Sequence, residues 1–234
     1  MLRLLLVAAQ KAMVQAAVQA AEYARLEPVG MDLVPFALVR AVGTGEVETL
    51  VGEEAEPQVG DEAVIDIGAH VTNICVHDRG VTRFVRILPS GGSDVSVAVA
   101  RALGVSEEEA EALKRGNAVE PAEEGAEPPS LDEANKAALA RAAAFVDEIR
   151  SSLEFYAAQV PGSRIGRVLV TGGGSKLAGF LELLRERIPV QIDRGHAFDH
   201  AMPQLDLSPE AMEEAEPILP VAVGLAIPGR SGSA

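Results

Sequence analysis

Three short stretches of this 234-residue chain combine residue types and spacings that can do chemistry. The first is Asp66-Ile67-Gly68-Ala69-His70-Val71-Thr72, at a turn between two apolar runs. A carboxylate at a strand end can hold a hydrated Mg²⁺, because that ion keeps most of its waters. Gly68 lets backbone approach a phosphate, and free N–H groups in such a turn form an anion nest. Thr72 can add a hydroxyl donor, and His70 in the same turn can touch a phosphate. The same residues also suit an ordinary hairpin turn. The second stretch is Gly172-Gly173-Gly174-Ser175, between the apolar run Val168-Leu169-Val170 and a helical pattern. Three glycines cost conformational entropy and suit backbone passing close to something flat or charged, or a tight strand-to-helix corner. A helix start behind them favours an anion. The spacing is neither the dinucleotide fingerprint nor a phosphate-binding Gly-Lys-Ser/Thr loop. The third is Glu111 with Lys114, one helical turn apart, able to clamp a ribose and base or to stand as a solvated pair.

The other reactive side chains have plainer readings. Cys75 sits mid-strand and reads as a buried, inert thiol. With one cysteine there is neither an intrachain disulfide nor a cysteine-based zinc site, which fits a reducing compartment. His196 and His200 are four apart beside Asp199, but Pro203 and the lack of a helical stripe make a surface loop rather than a metal site. The acidic residues 107–109 suit the first turn of a helix and need no ligand.

These stretches must be positioned by an α/β scaffold. Residues 3–8 read as a buried strand, residues 11–25 as an amphipathic helix, and residues 29–33 as a second short strand. Pro35 opens a helix to residue 42, and residues 43–60 form a solvated connection. Strands follow at 63–67, 73–77 and 81–88, with Asp78-Arg79-Gly80 as a tight turn. Ile65, Ile67, Ile74, Val76, Phe84 and Ile87 are expected to supply the core of this meander. A helix over 93–103 stops at Gly104, and Ser106 with Glu109 forms a capping box for a helix to 115. After an acidic, proline-rich loop over 117–129, Ser130 with Glu133 caps a long helix to about residue 156. A strand at 167–171, a helix over 177–187, a strand at 190–192, a polar loop and an apolar helix at 218–226 complete the chain.

Composition excludes several partners. The net charge of −15 opposes nucleic acid and anionic lipid. Aromatic residues make up 3% with no Trp, so base-stacking platforms are excluded. No stretch approaches the ~20 apolar residues of a membrane span, so any attachment to a membrane is expected to run through another protein.

Taken in order, Asp66-x-Gly68-x-x-x-Thr72 in a hairpin, Glu111-x-x-Lys114 on a helix, and a strand running into Gly172-Gly173-Gly174 resemble the actin-like ATPase superfamily. That group includes actin, the DnaK-type chaperones, hexokinase and the cell-division protein FtsA. Leu26-Glu27-Pro28-Val29, Pro35-Phe36-Ala37-Leu38, Leu88-Pro89-Ser90-Gly91-Gly92 and Glu148-Ile149-Arg150-Ser151-Ser152-Leu153-Glu154-Phe155-Tyr156 look like the PilM family of type IV pilus assembly proteins. The resemblance implies an actin-like, ribonuclease-H-like fold, incomplete at its N-terminus because the first phosphate hairpin of the family lies outside this sequence. It implies a remnant of an inserted subdomain over 1–30, a connecting helix and loop over 31–60, a second actin-like domain over 61–227 with a helical subdomain about 104–157, and a tail. It implies ATP and Mg²⁺ as ligands. Asp66 (also the metal residue), Gly68, Ala69 and Thr72 fall in the second phosphate loop, Gly172, Gly173, Gly174 and Ser175 in the adenosine loop, and Glu111 and Lys114 on the ribose helix.

The implied role is a cytoplasmic scaffold, peripheral to the inner membrane through the N-terminal peptide of a PilN-type membrane protein; a homo-oligomer is compatible with it. No catalytic residue is assigned. Val34 stands where many superfamily members carry an acidic residue and cannot polarise a water, so at most a weak ATPase is expected. The alternatives are a sugar-kinase-like phosphotransferase and a scaffold that no longer binds nucleotide.

Overall fold

The computed structural model describes residues 6–44, 60–121, 127–160, 162–204 and 206–228. The chain divides into two compact units, Met1–Leu33 and Val34–Ala234. In the first, α1 (Lys11–Tyr23) ends where Ala24 and Leu26 N–H groups bond back to Ala20 and Ala21 carbonyls, around Arg25 at φ 59°. Residues 29–33, expected as a strand, are irregular; of the strand expected at 3–8, residues 6–8 are irregular and residues 3–5 lie outside the described residues. An apolar run becomes a strand only with a hydrogen-bonded neighbour, and the described residues supply none there.

The second unit is built on a five-stranded sheet in the order β3-β2-β1-β4-β5. Its strands are β1 (Asp61–Ile67), β2 (Thr72–Asp78), β3 (Val81–Leu88), β4 (Ile165–Thr171) and β5 (Gln191–Arg194). The first three form an antiparallel meander, while β4 and β5 run parallel to β1. Among the described residues seven α-helices accompany it: α2 (Val34–Val42), α3 (Gly92–Leu103), α4 (Glu107–Lys114), α5 (Leu131–Gln159), α6 (Phe180–Arg187), α7 (Pro209–Ala215) and α8 (Pro220–Ala226).

Alternation along the strands sends side chains to two layers. Ile65, Ile67, Ile74, Val76, Val168 and Val170 pack under α5 and α6 against Phe145, Ile149, Tyr156 and Phe180. Val64 and Leu169 point the other way, into Leu38, Ala41 and Val42 of α2, with Val221 and Val223 of α8. Those two helices cross so closely that a Cβ on Gly224 would stand 1.8 Å from the Ala37 carbonyl oxygen. The 29-residue α5 spans two cores: Ala134 and Ala138 pack with Val99 of α3 and Leu113 of α4, and its second half covers the sheet. The Tyr156 hydroxyl donates to Asp61 at 2.7 Å, fixing that end to the start of β1.

The caps are those the sequence implies. Gly104 ends α3 in the left-handed region at φ 69°, and Ser106 and Glu109 form a reciprocal capping box. Ile87 departs from expectation, being 58% exposed. It lies on edge strand β3 opposite Asn73, three positions from Phe84, so alternation turns it away from the α5 layer that Phe84 and Leu88 join. Cys75 is fully buried, and desolvation pushes its thiol up to about 12, so it is inert near neutral pH.

Candidate nucleotide cleft

The C-terminal ends of β1 and β4, the first turns of α3, and α4, α5 and the segment before α8 surround a cleft of about 1220 Å³. Ligands in open α/β sheets collect at this end of the strands. Asp66, Gly68, Ala69, Glu111, Lys114, Gly172, Gly173 and Gly174 all line it, so residues more than a hundred positions apart in sequence meet in one site.

Asp66 stands at the floor. Its Oδ2 accepts from Asn73 Nδ2 at 3.0 Å, and Asp66 and Asn73 are cross-strand partners in the β1–β2 register. Burial raises the Asp66 carboxyl above its ordinary value, and the Asn73 bond partly offsets this. A desolvated carboxylate facing a cavity is stabilised by a cation. Among the described residues no cluster of three or more metal-ligating side chains exists. Asp66 would therefore be a lone protein ligand, which suits Mg²⁺ carrying waters and phosphate oxygens.

The turn after Asp66 is tied both to its own hairpin and to the start of α3. Gly68 N–H donates to Val71 O at 3.0 Å, while Gly68 O and Ala69 O accept from Gly92 N–H at 2.9 Å and Ser93 N–H at 2.8 Å. One N–H of this turn, that of Gly68, is thus taken by the hairpin itself. Gly91 makes this docking feasible, since a Cβ there would lie 2.4 Å from Gly68 O. Thr72 does not face the cleft: it is buried and its hydroxyl donates to Ser90 O at 2.9 Å. His70 is exposed and outside the lining.

The glycine loop divides into two roles. Gly172 sits at φ 88°, and a Cβ there would stand 2.4 Å from Ile67 O and 2.7 Å from Asp66 Oδ1. A Cβ on Gly174 would strike Ile67 Cγ2 at 2.4 Å. These two glycines let β4's exit pass against the end of β1. Gly173 differs: a Cβ would meet only Ile218 Cγ2 at 3.6 Å, ordinary contact, so its bare backbone faces the cleft. Ser175 is buried and donates to Gly172 O at 2.7 Å. Between the strand and the helix expected over 177–187, residues Gly173–Lys176 form a 3-10 turn, whose Ser175 and Leu177 N–H groups bond to Gly172 O and Gly174 O. Regular helix begins only at Phe180, after Gly179 at φ 79°. The helix start expected directly behind the glycines to favour an anion is therefore displaced.

Glu111 and Lys114 do meet at the cleft wall, as an ion pair that also engages Ser96 of α3. Partial burial would raise the Glu111 carboxyl, but bonds from Lys114, Ser96 and Arg115 outweigh it and hold it at about 2. Sequence reasoning missed Asn73, Ser96 and the docking role of Gly91. The first was legible, because closing the hairpin at Ile67 and Thr72 puts Asp66 opposite Asn73; Ser96 carried no signal before α3 and α4 were seen side by side. His196 and His200 are not a metal pair: His196 Nδ1 lies 3.1 Å from Glu216 Oε1, and His200 Nε2 2.8 Å from Gly43 O.

A meander joined to parallel strands, with a carboxylate hairpin and a glycine loop closing one cleft, defines an actin-like ATPase fold. Solved structures agree. The chain matches the ethanolamine utilization protein EutJ from Carboxydothermus hydrogenoformans at TM-score 0.60 and 21% identity, over 92% of this chain and 60% of that one. It matches MreB5 of Spiroplasma citri bound to AMPPNP at TM-score 0.62 and 14% identity, over 94% and 64%. It is more similar in sequence to a chain of the PilM-PilN type IV pilus biogenesis complex, at 26% identity and TM-score 0.69, over 91% of this chain and 56% of that one. No protein with a curated description matches. The family model of type IV pilus assembly protein PilM matches residues 1–230, and the chain belongs to that family. It spans about half to two thirds of the length of these structural relatives.

Proposed function

We propose that this protein is a nucleotide-responsive scaffold of the type IV pilus machine, holding ATP with Mg²⁺ in the cleft and gripping the cytoplasmic N-terminal peptide of a PilN-type inner-membrane protein. The observation that carries the nucleotide reading is the convergence of Asp66, desolvated and held by Asn73, with the unobstructed backbone of Gly173 across one cleft. Asp66 would hold the hydrated ion, the Gly173 backbone would lie against the nucleotide, and the ion would neutralise phosphate charge. That neutralisation matters here because the lining carries Asp66, Glu107, Glu108, Glu111, Asp132 and Glu214, whereas two of its cations, Lys114 and Arg115, are already paired with Glu111.

The partner reading is supported by membership of the PilM family and by similarity to a chain from a PilM-PilN complex. No helix among the described residues is long and apolar enough to cross a membrane, which agrees with attachment through a partner. Val34 begins α2, and its aliphatic side chain cannot polarise a water; in this reading nucleotide acts by shifting populations, with at most weak turnover. The test is peptide binding, by fluorescence anisotropy, with ATP·Mg²⁺ and with EDTA. Tighter binding with ATP·Mg²⁺ is expected; affinity indifferent to nucleotide would remove the switch from the reading.

A further inference from the structure

Lys114 has three N–H donors and no acceptor capacity, and all three have protein partners. They are Gly92 O at 3.0 Å, Ser96 Oγ at 2.9 Å and the Glu111 carboxylate. Its side chain is only 14% exposed. Glu111 is equally engaged: Oε1 accepts from Arg115 Nε at 2.8 Å, and Oε2 faces both Lys114 and the Ser96 hydroxyl. Ser96 has a single proton. Glu111 Oε2 at 2.5 Å is nearer than Gly92 O at 3.2 Å, so that proton goes to Glu111 and Ser96 accepts from Lys114. The three Lys114 donors and the Ser96 hydroxyl proton are all matched without any ligand.

The far end of the group matters most. The carbonyl that takes the Lys114 bond belongs to the Gly92–Ser93 peptide, and the N–H of that same peptide donates to Ala69 O at 2.8 Å. One residue earlier, Gly92 N–H donates to Gly68 O at 2.9 Å. A hydrogen bond to a peptide carbonyl polarises its N–H and strengthens the bond that N–H makes. Lys114 on α4 is therefore connected, through one peptide unit of α3, to the turn that follows Asp66.

We infer that Lys114, with Ser96 and Glu111, is a strut that fixes the Gly68–Ala69 turn through the first turn of α3, a positioning group and not a ribose clamp. A ribose hydroxyl could take a bond from the Lys114 ammonium only by displacing one of its three protein partners. The strut acts in the ligand-free protein; its bearing on ligands rests on the nucleotide reading above.

Two measurements test this, and they fail separately. In the first, backbone hydrogen exchange is followed without ligand in the 234-residue chain, for the wild type, Ser96→Ala and Lys114→Met. Exchange at the amides of Gly92 and Ser93 is expected to speed up about tenfold in both variants, the factor set by losing a charge-assisted bond, with β4 amides unchanged. Unchanged exchange at Gly92 and Ser93 would overturn the strut. If β4 also loosens in Lys114→Met, that variant reports global unfolding and the milder Ser96→Ala decides. In the second, Mg²⁺-pyrophosphate and adenosine are titrated separately. The strut predicts weaker pyrophosphate binding in both variants, since the phosphate turn has lost its support. A ribose clamp predicts weaker adenosine binding with pyrophosphate untouched, and that result overturns the strut. If the wild type binds neither probe, the nucleotide reading fails while the exchange result still decides the strut.

Discussion

Two carboxylates of strand β1, Glu62 and Asp66, differ in how they are satisfied. Glu62 is 1% exposed and fully engaged: Thr44 N–H and Thr44 Oγ1 donate to its two oxygens at 2.7 Å each, His77 Nε2 lies 3.0 Å away, and Arg167 3.9 Å away. His77 Nδ1 accepts from Gly80 N–H, so a neutral ring carries its proton on the side facing Glu62. Four residues along, Asp66 has one donor, Asn73, and a cleft in front of it. Both carboxylates pair across to β2 in the same register, Glu62 with His77 and Asp66 with Asn73. A carboxylate whose partners are all internal is a structural joint, and here it anchors the end of α2 to the sheet. One left short of partners beside open space is a binding group. Burial alone does not separate the two; the partner count does.

This contrast is broken most directly by truncation. Glu62→Ala leaves His77 and Arg167 without their shared anion and should cost about 3–5 kcal/mol of stability, read by urea denaturation. Asp66→Ala in the same assay should cost little, because it removes a desolvated charge. A larger loss at Asp66 than at Glu62 would reverse the assignment. Next in size is Gly172→Ala, which forces a Cβ into Ile67 and Asp66 at φ 88° and should cost about 1–3 kcal/mol.

The acid limb of stability sharpens the comparison through opposite signs. Glu111 titrates at about 2 in the folded chain, below its ordinary 4.5, so it contributes stability above 4.5 that is lost as pH falls through about 2. Asp66 is raised, so the folded state holds its proton longer; its contribution is full below its ordinary value of 3.8 and is lost as pH rises through the raised one. Glu111→Gln should therefore flatten the decline between 4.5 and 2, whereas Asp66→Asn should raise stability slightly at neutral pH. Equal slopes in wild type and Glu111→Gln would remove the Ser96–Lys114–Arg115 group as the cause. The smallest effect is Gly173→Ala, within about 0.5 kcal/mol, because only Ile218 lies near the added carbon.

The parts of this molecule legible in the sequence are those set by local chemistry. The meander announced itself through alternation and Asp78-Arg79-Gly80, and the capping box of α4 through Ser106 and Glu109. The meeting of Asp66, Lys114 and Gly173 could be read only by resemblance, since nothing local in the three stretches says that they share a cleft. What the sequence hid was set by long-range partners. Ile87 reads as core until its register opposite Asn73 at the sheet edge is known, and Thr72 reads as a ligand hydroxyl until Ser90 O takes its proton. Helix α7 was missed because its sequence, Pro-Glu-Ala-Met-Glu-Glu-Ala, has no apolar face and no buried residue to mark it.

The central claim is that Asp66 makes this cleft a site for a cation-bound nucleotide. Calorimetric titration of ATP·Mg²⁺ into the wild type and Asp66→Ala, with both proteins shown to unfold at the same urea midpoint, tests it most directly. Saturable binding in the wild type and its loss by tenfold or more (about 1.4 kcal/mol) in Asp66→Ala is the predicted result. Binding of equal strength in both, or none in the wild type, would contradict it.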